Sequence, residues 1–189
     1  MENVESLLDE LRCGILLSDI HKSGEPYKTA AELPISGVVK YWGQSYVPGG
    51  PVRVSITANY ARGDIAVRIE LACEFHVPCS RCLEETMLAI NGDMRYLFTT
   101  RRSRREDDEC AGEEEDGYIE AIEIDKFQAE LDLTPYVWET IILSLPEKVL
   151  CREDCKGLCP VCGGRKNVNE CGCITDAADP RLEVLKNLL

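Results

Sequence analysis

IAVRIELACEF, residues 65–75, is the strongest structural signal in this chain of 189 residues. Apolar side chains occupy every second position from Ile65 to Phe75, and Ala, Arg or Glu stands between them. Because successive side chains of a strand point to opposite faces, this period of two predicts a strand with one buried face. The register places Cys73 on that face, which predicts a core thiol rather than a metal ligand.

A second alternating stretch lies upstream at residues 52–58, where Val, Ile and Ala alternate with Arg, Ser and Thr. The connection between the two stretches, residues 60–64, is short enough for a hairpin. Weaker extended patterns occur elsewhere, and Asn91-Gly92-Asp93 allows a bulge or turn within one of them. These further strands are expected at residues 37–42, 87–98 and 119–124.

Residues 18–34 read as a loop, because Gly24, Pro26 and Pro34 interrupt them. The strands together predict an α+β fold that contains an antiparallel β-meander or a partly closed barrel. Flanking helices and a C-terminal cysteine-rich zinc-binding appendage complete the expected fold.

Two helices are predicted beside the strands. Near the N-terminus, Leu7 and Leu11 belong to an apolar stripe with helical spacing. The other helix is expected at residues 135–145, with Thr134 as its N-cap and Pro135 in its first turn. Its buried stripe is expected to contain Val137, Ile141, Ile142 and Leu145.

The predicted organisation has three parts. Residues 1–34 form an N-terminal helix and loop, and residues 35–146 form a β-rich body. Residues 147–189 form a cysteine-rich zinc tail that ends in a short helix. The body contains an acidic loop at residues 103–117 and the helix at residues 135–145.

Six of the eleven cysteines fall between Cys151 and Cys173. The segment Cys159-Pro160-Val161-Cys162-Gly163 predicts a zinc knuckle, because a Cys-x-x-Cys turn points two thiolates at one metal ion. One tetrahedral Zn²⁺ can take this pair and two of the other four cysteines, and spacing alone leaves open which two. The candidate ligands in the tail are Cys151, Cys155, Cys159, Cys162, Cys171 and Cys173.

Cys79-Ser80-Arg81-Cys82 is a second and more isolated Cys-x-x-Cys pair. It is compatible with half a zinc site, a redox dithiol or a purely structural turn. Together with the six tail cysteines, Cys79 and Cys82 make eight ligands, which is enough for two tetrahedral sites. The cysteines then left over are Cys13, Cys73 and Cys110.

The N-terminal residues lack the pattern of a signal peptide, and no stretch approaches the ~18 apolar residues of a membrane helix. A cytoplasmic protein without a membrane partner is therefore expected, in which reduced thiols favour metal binding over disulfides. No Ser-His-Asp set or glycine-rich phosphate loop is present, and an all-cysteine zinc site is of the closed, structural kind. The sequence thus predicts a non-enzyme without a small-molecule substrate.

The net charge of -13 argues against a protein that simply coats nucleic acid. Much of this charge lies in residues 106–116, where eight of eleven residues are acidic and a solvated, disordered loop is expected. Arg101, Arg102, Arg104 and Arg105 precede it, and basic residues recur in the tail. The candidate RNA-binding residues in the tail are Lys156, Arg165, Lys166 and Arg152.

The chain resembles the YceD family in the order of several motifs. These are Cys79-Ser80-Arg81-Cys82-Leu83, residues 131–146, residues 155–163, Asn167 to Asn169, Cys171-Gly172-Cys173 and Asp179-Pro180-Arg181. This family comprises bacterial and plastid proteins linked to the accumulation of large-subunit ribosomal RNA, and the resemblance covers about residues 35–189.

The resemblance implies a ribosome-biogenesis factor that binds large-subunit ribosomal RNA or a pre-ribosomal particle. The alternative is a zinc-stabilised interaction module that docks a ribosomal protein or an RNA-processing enzyme. A redox protein acting through Cys79 and Cys82 is a third possibility.

Overall fold

The computed structural model describes residues 2–20, 25–61, 63–100 and 119–173. The chain divides into two compact units: a sheet unit, residues 1–77 and 87–147, and a cysteine unit, residues 78–86 and 148–189. The N-terminal residues, expected as a separate segment, belong to the sheet unit. Residues 78–86, expected within the β-rich body, belong to the same unit as the cysteine-rich tail.

The sheet unit contains a sheet of seven strands and a small sheet of two strands, β1 and β9, with few helices. The described elements are α1 (Glu2–Glu10), β1 (Gly14–Leu16), α2 (Leu17–Ile20), β2 (Tyr27–Leu33), β3 (Val39–Tyr41), β4 (Gln44–Pro48), β5 (Val52–Ala61), β6 (Asp64–Pro78), β7 (Glu85–Thr100), β8 (Ile119–Ile124), β9 (Glu130–Asp132) and α3 (Thr134–Leu143).

Strand β6 is the long strand that the alternation predicts. Its alternate side chains from Ile65 to Val77 are buried, as is the facing set on β5 from Val52 to Ala58. Cys73 lies on the buried face as predicted, and burial raises its pKa to about 11, which keeps it a neutral core thiol. The predicted hairpin is confirmed, because β5 and β6 pair antiparallel and end with Ala61 opposite Asp64.

Strand β4 continues the pairing along β6 beyond the reach of β5. Val47 lies opposite His76 and Arg53 lies opposite Ala72. The chain from Val47 to Arg53 is therefore two residues longer than the segment of β6 that it faces. The segment Gly49-Gly50-Pro51 accommodates them, since Pro51 has no N–H to donate to a ladder.

The sheet corrects the expectation of an antiparallel meander or partly closed barrel. β8 pairs parallel with β7, from Arg95 opposite Ile119 to Thr100 opposite Ile124, although most other ladders are antiparallel. In the described part of the chain, β2 pairs only with β5 and β8 only with β7, so no barrel closes there. Alternation predicts strands but carries no information about the direction of their partners.

The prediction of a loop at residues 18–34 was also wrong, because β2 occupies Tyr27–Leu33 and pairs antiparallel with β5. Pro26 and Pro34 flank this edge strand rather than interrupt it. Strand β7 runs through Asn91-Gly92-Asp93 without ending, so the turn that this segment allowed does not form.

Helix α3 begins one residue earlier and ends two residues earlier than expected. Its N-cap is Leu133, not Thr134. The Thr134 hydroxyl instead accepts a hydrogen bond from the Cys13 N–H at 3.0 Å, which ties the start of the helix to the segment before β1. Val137, Ile141 and Leu145 of the predicted stripe are buried, and Ile142 is half-buried.

Several predictions fall on residues outside the described ranges. These are the acidic loop at 103–117, the arginine run at 101–105, Cys110 and the C-terminal helix. Within the described ranges, no helix has the length and apolarity that crossing a membrane would require.

Candidate metal centre

The first Cys-x-x-Cys pair lies on the turn between β6 and β7. The Leu83 N–H donates a hydrogen bond to the carbonyl of Cys79 at 2.9 Å, and the Cys79 N–H donates to the carbonyl of Glu84 at 2.8 Å. These two bonds close the turn so that the thiols of Cys79 and Cys82 lie on the same side and are both buried.

The second Cys-x-x-Cys pair lies on a turn with the same hydrogen bonds. The Gly163 N–H donates to the carbonyl of Cys159 at 2.9 Å, and the Cys159 N–H donates to the carbonyl of Gly164 at 2.8 Å. The cysteine unit therefore contains two copies of one knuckle. Each knuckle presents two sulfurs that need two further ligands to complete a tetrahedral site.

The first centre is formed by Cys79, Cys82, Cys151 and Cys155, whose sulfurs all lie within 4.8 Å of one another. The Cys79 and Cys155 sulfurs are 3.8 Å apart, and the Cys82 and Cys151 sulfurs are 3.6 Å apart. Four sulfurs at the ~2.3 Å Zn–S distance around a tetrahedral ion lie about 3.8 Å from one another. A disulfide would need about 2.05 Å. The spacing therefore suits a shared metal ion.

The second centre is formed by Cys159, Cys162, Cys171 and Cys173, whose sulfurs also lie within 4.8 Å of one another. The Cys-x-Cys pair at Cys171 thus joins the second knuckle, and the Cys-x-x-x-Cys pair at Cys151 joins the first. All eight cysteines considered as ligands are used, while Cys13 and Cys73 lie outside both tetrads.

Several contacts hold the two halves of the first centre together. The Arg81 guanidinium donates to the carbonyl of Cys155 at 2.9 Å, and the Ser80 N–H donates to the carbonyl of Val149 at 2.8 Å. Gly157 has a φ of 73°, and a Cβ added there would lie 3.2 Å from the Arg81 carbonyl oxygen. A side chain at position 157 would therefore be strained and crowded.

Hydrogen-bond donors also surround the sulfurs of the first centre. The Asn167 amide nitrogen lies 3.1 Å from the Cys155 sulfur, and the Arg81 N–H points at the Cys79 sulfur at 3.4 Å. Spacing patterns in the sequence did not predict a functional contact for Asn167, since it lies four residues from the nearest cysteine. Its place in the motif Asn167 to Asn169 was the only signal.

The thiols of the first centre differ in acidity. Burial opposes ionisation of Cys79, but hydrogen bonds from the N–H groups of Cys82 and Arg81 lower its pKa to about 6. Burial and then the adjacent thiols of Cys82 and Cys155 raise the pKa of Cys151 to about 12.

The thiols of the second centre also differ in pKa. The N–H groups of Cys162 and Val161 lower the pKa of Cys159 to about 6, whereas hydrogen bonds with Cys162 and Cys171 raise the pKa of Cys173 to about 12. Negative charge that collects among four close sulfurs resists further ionisation. A divalent cation among them would remove this conflict and bind all four as thiolates.

Both donor sets consist only of cysteine and are therefore compatible with zinc. The first centre is the more enclosed, since Cys79 and Cys82 are fully buried and Cys155 is 3% exposed. Cys162 of the second centre is exposed. Enclosure of Cys79 and Cys82 beside two further thiols favours a metal site over a redox dithiol, which needs access for its disulfide partner.

The basic residues predicted to bind RNA lie in the cysteine unit but differ in their surroundings. Arg152 pairs with Asp154 at 3.4 Å, and Lys156 pairs with Glu170 at 3.2 Å. Arg165 is exposed and Lys166 is half-buried. Lys156 and Lys166 line one cleft of about 230 Å³, together with Glu170, Cys171 and Cys173. Neighbouring carboxylates thus partly neutralise Arg152 and Lys156.

Both metal centres lie in the part of the chain that matches a known protein family. The family model described as "Large ribosomal RNA subunit accumulation protein YceD" matches residues 67–189, which include both tetrads. The chain is similar to a protein of Bacillus subtilis (strain 168) named "Uncharacterized protein YlbN". The two are 29% identical over 140 residues, which cover 74% of each chain. No solved structure matches the chain.

Proposed function

We propose that this chain, which belongs to the YceD family, promotes the accumulation of large-subunit ribosomal RNA as a zinc-stabilised ribosome-biogenesis factor. It would act by binding that RNA or a pre-ribosomal particle in the cytoplasm. The observation that carries the zinc role is the pair of cysteine tetrads with sulfur spacings that suit a tetrahedral ion.

Two Zn²⁺ ions are assigned, one to each tetrad. The first would cross-link the turn at residues 79–82 to residues 151–155, and the second would close the local loop between Cys162 and Cys171. Four cysteine ligands would leave no open position for water or substrate, which supports a structural role for the metal and a proposed role for the protein other than metal-based catalysis. Purified protein is expected to contain two Zn²⁺ per chain by elemental analysis.

RNA contact is assigned to a basic face beside the second knuckle, which contains the exposed Arg165 and Lys156 and the half-buried Lys166. The protein as a whole carries a net charge of -13 and repels phosphate, so affinity for RNA must come from a focused group of cations. The Glu170 carboxylate neutralises part of this face through Lys156.

The test is RNA binding by the triple variant Lys156→Ala, Arg165→Ala, Lys166→Ala. Affinity for large-subunit ribosomal RNA is expected to fall, and the slope of log affinity against log salt to flatten by about one unit for each phosphate that is no longer bound. Zinc content and melting temperature should stay nearly unchanged, because exposed charges contribute little to stability.

A matched control replaces three exposed basic residues of the sheet unit, Lys28, Lys40 and Arg53, by Ala. This variant changes the net charge equally and should keep most of the RNA affinity. Equal losses in both triple variants would show a general charge effect and would remove the case for a specific RNA face.

The second candidate function is a protein-interaction module. It is favoured by three large apolar side chains exposed on the cysteine unit, Leu83, Val161 and Val168, which are 61–67% exposed. The partner would be a ribosomal protein or an RNA-processing enzyme. Capture of such a partner by the triple Ala variant, with RNA affinity unaltered, would favour this function over direct RNA binding.

A further inference from the structure

Asn167 belongs to one metal centre by its position in the chain and to the other by its contacts. It lies in the loop of residues 163–170, which Cys162 and Cys171 of the second centre bracket. Its side chain nevertheless contacts the sulfurs of Cys155 and Cys151, which belong to the first centre.

The side chain of Asn167 is held at both of its polar atoms. Its Nδ2 lies 3.1 Å from the Cys155 sulfur and 3.9 Å from the Cys151 sulfur, so the amide donates mainly to Cys155. Its Oδ1 accepts a hydrogen bond from the Lys156 N–H at 2.8 Å. An inverted amide would place an oxygen against sulfur and an NH₂ group against an N–H, which defines the orientation of the side chain.

The backbone of the loop presents Asn167 at this position. Leu158 and Arg165 form a bridge, and the Lys166 N–H donates to the Gly157 carbonyl at 3.0 Å. The Val168 and Asn169 N–H groups both donate to the Arg165 carbonyl, which turns the chain at Asn167. A metal ion bound by Cys162 and Cys171 would fix both ends of the loop and so favour this short turn.

We infer that Asn167 couples the two centres, so that metal bound in the second centre raises the metal affinity of the first. This inference rests on the proposed zinc function. When the loop is already ordered, the Asn167 amide points at the Cys155 thiolate before metal binds to the first centre. Metal binding at the first centre then no longer includes the entropy cost of ordering the loop. Linkage requires that metal in the first centre raises the affinity of the second by the same factor.

The experiment is Zn²⁺ titration of the full chain against a competing chelator, which yields an affinity for each centre. Alkylation of free thiols with peptide mapping identifies which tetrad is filled. Asn167→Ala is expected to weaken the centre that contains Cys155 by about 10–100-fold, the usual effect of losing a hydrogen-bond partner of a ligand. Asn169→Ala is the matched control, since Asn169 is an exposed asparagine in the same turn.

A second variant guards against a simple loss of folding. Asn167→Asp keeps the shape of the side chain and the acceptor for the Lys156 N–H, but it places a carboxylate oxygen against the Cys155 sulfur. It is expected to weaken the first centre at least as much as Asn167→Ala, because the negative carboxylate repels thiolate. Wild-type affinity in Asn167→Asp would overturn the positioning role.

Coupling itself is measured by a double-mutant cycle with Cys162→Ser/Cys171→Ser, which removes two ligands of the second centre. That change should weaken the first centre when Asn167 is present and have little further effect in Asn167→Ala. The coupling would be overturned if the losses of zinc affinity were additive, or if Asn167→Ala held two zinc ions with wild-type affinity. Either result would leave the proposed zinc role intact. Wild-type protein free of metal would instead overturn the proposed zinc role.

Discussion

The two knuckles share a left-handed backbone position but differ in the residue that occupies it. The residue after the second cysteine has a left-handed backbone in both, with φ of 59° at Leu83 and 70° at Gly163. Glycine adopts this conformation without cost, whereas a side chain there costs about 1–2 kcal/mol. Leu83 is also 61% exposed, so burial of its side chain does not offset the cost.

Leu83→Gly is therefore expected to stabilise the first knuckle by up to about 1 kcal/mol, and Gly163→Leu to destabilise the second by about 1–2 kcal/mol. The measurement is native-state hydrogen exchange at the N–H groups that close the turns, those of Cys79 and Cys159. Each variant serves as the control for the other. Changes of the same sign in both knuckles would contradict the backbone argument.

The knuckles depend on partners from other elements of the cysteine unit. The turn at residues 79–82 supplies two ligands of the first centre, and the segment at residues 151–155 supplies the other two. Removing one pair leaves a bidentate site, which cannot form a closed tetrahedral coordination. The strength of each centre is thus a property of two segments together.

Cys79→Ser/Cys82→Ser is expected to lower the zinc content from two ions to one and to expose the amides of residues 148–158 to exchange. Elemental analysis and hydrogen exchange by mass spectrometry measure the two effects. Cys13→Ser is the control, because Cys13 lies outside both tetrads. Two bound ions in the double variant would show that these four cysteines do not share a metal.

At the scale of the whole molecule, the two units differ in how they are stabilised. The sheet unit has an extended apolar core that includes Tyr46, Phe75, Tyr96, Phe98 and Ile141. The cysteine unit has a small cluster made of Cys79, Cys82 and Cys155 with a few partly buried neighbours. Under the proposed zinc role, metal binding would supply much of the folding free energy of the cysteine unit.

Chelation of zinc is expected to unfold the cysteine unit while the sheet unit stays folded. Trp42 and Trp138, the two tryptophans of the chain, lie in the sheet unit, so their fluorescence reports on the folding of that unit. Exchange protection should disappear at residues 78–86 and 148–173 and remain in β5 and β6. The same chelator saturated with Zn²⁺ beforehand is the control, and a tryptophan transition induced by the free chelator would contradict the expectation that the sheet unit stays folded.

Local patterns in the sequence were enough to predict β5, β6, their hairpin and the buried Cys73, because alternation and a short turn involve only near neighbours. The spacing of Cys159 and Cys162 likewise indicated a pair of metal ligands, whereas the spacing of Cys79 and Cys82 was equally compatible with a redox dithiol or a structural turn. The family resemblance, confirmed over residues 67–189, was visible in those same motifs.

The tertiary structure alone decided which features of the chain come together. Ligand spacing is equally compatible with many pairings of eight cysteines, and only folding assigns Cys151 and Cys155 to the first knuckle. Strand direction at β8, the edge strand β2 and the bond from Asn167 to Cys155 likewise depend on contacts between residues distant in sequence. Such contacts produce no repeating pattern in the sequence, because they are determined by tertiary packing and not by residues that are neighbours in the chain.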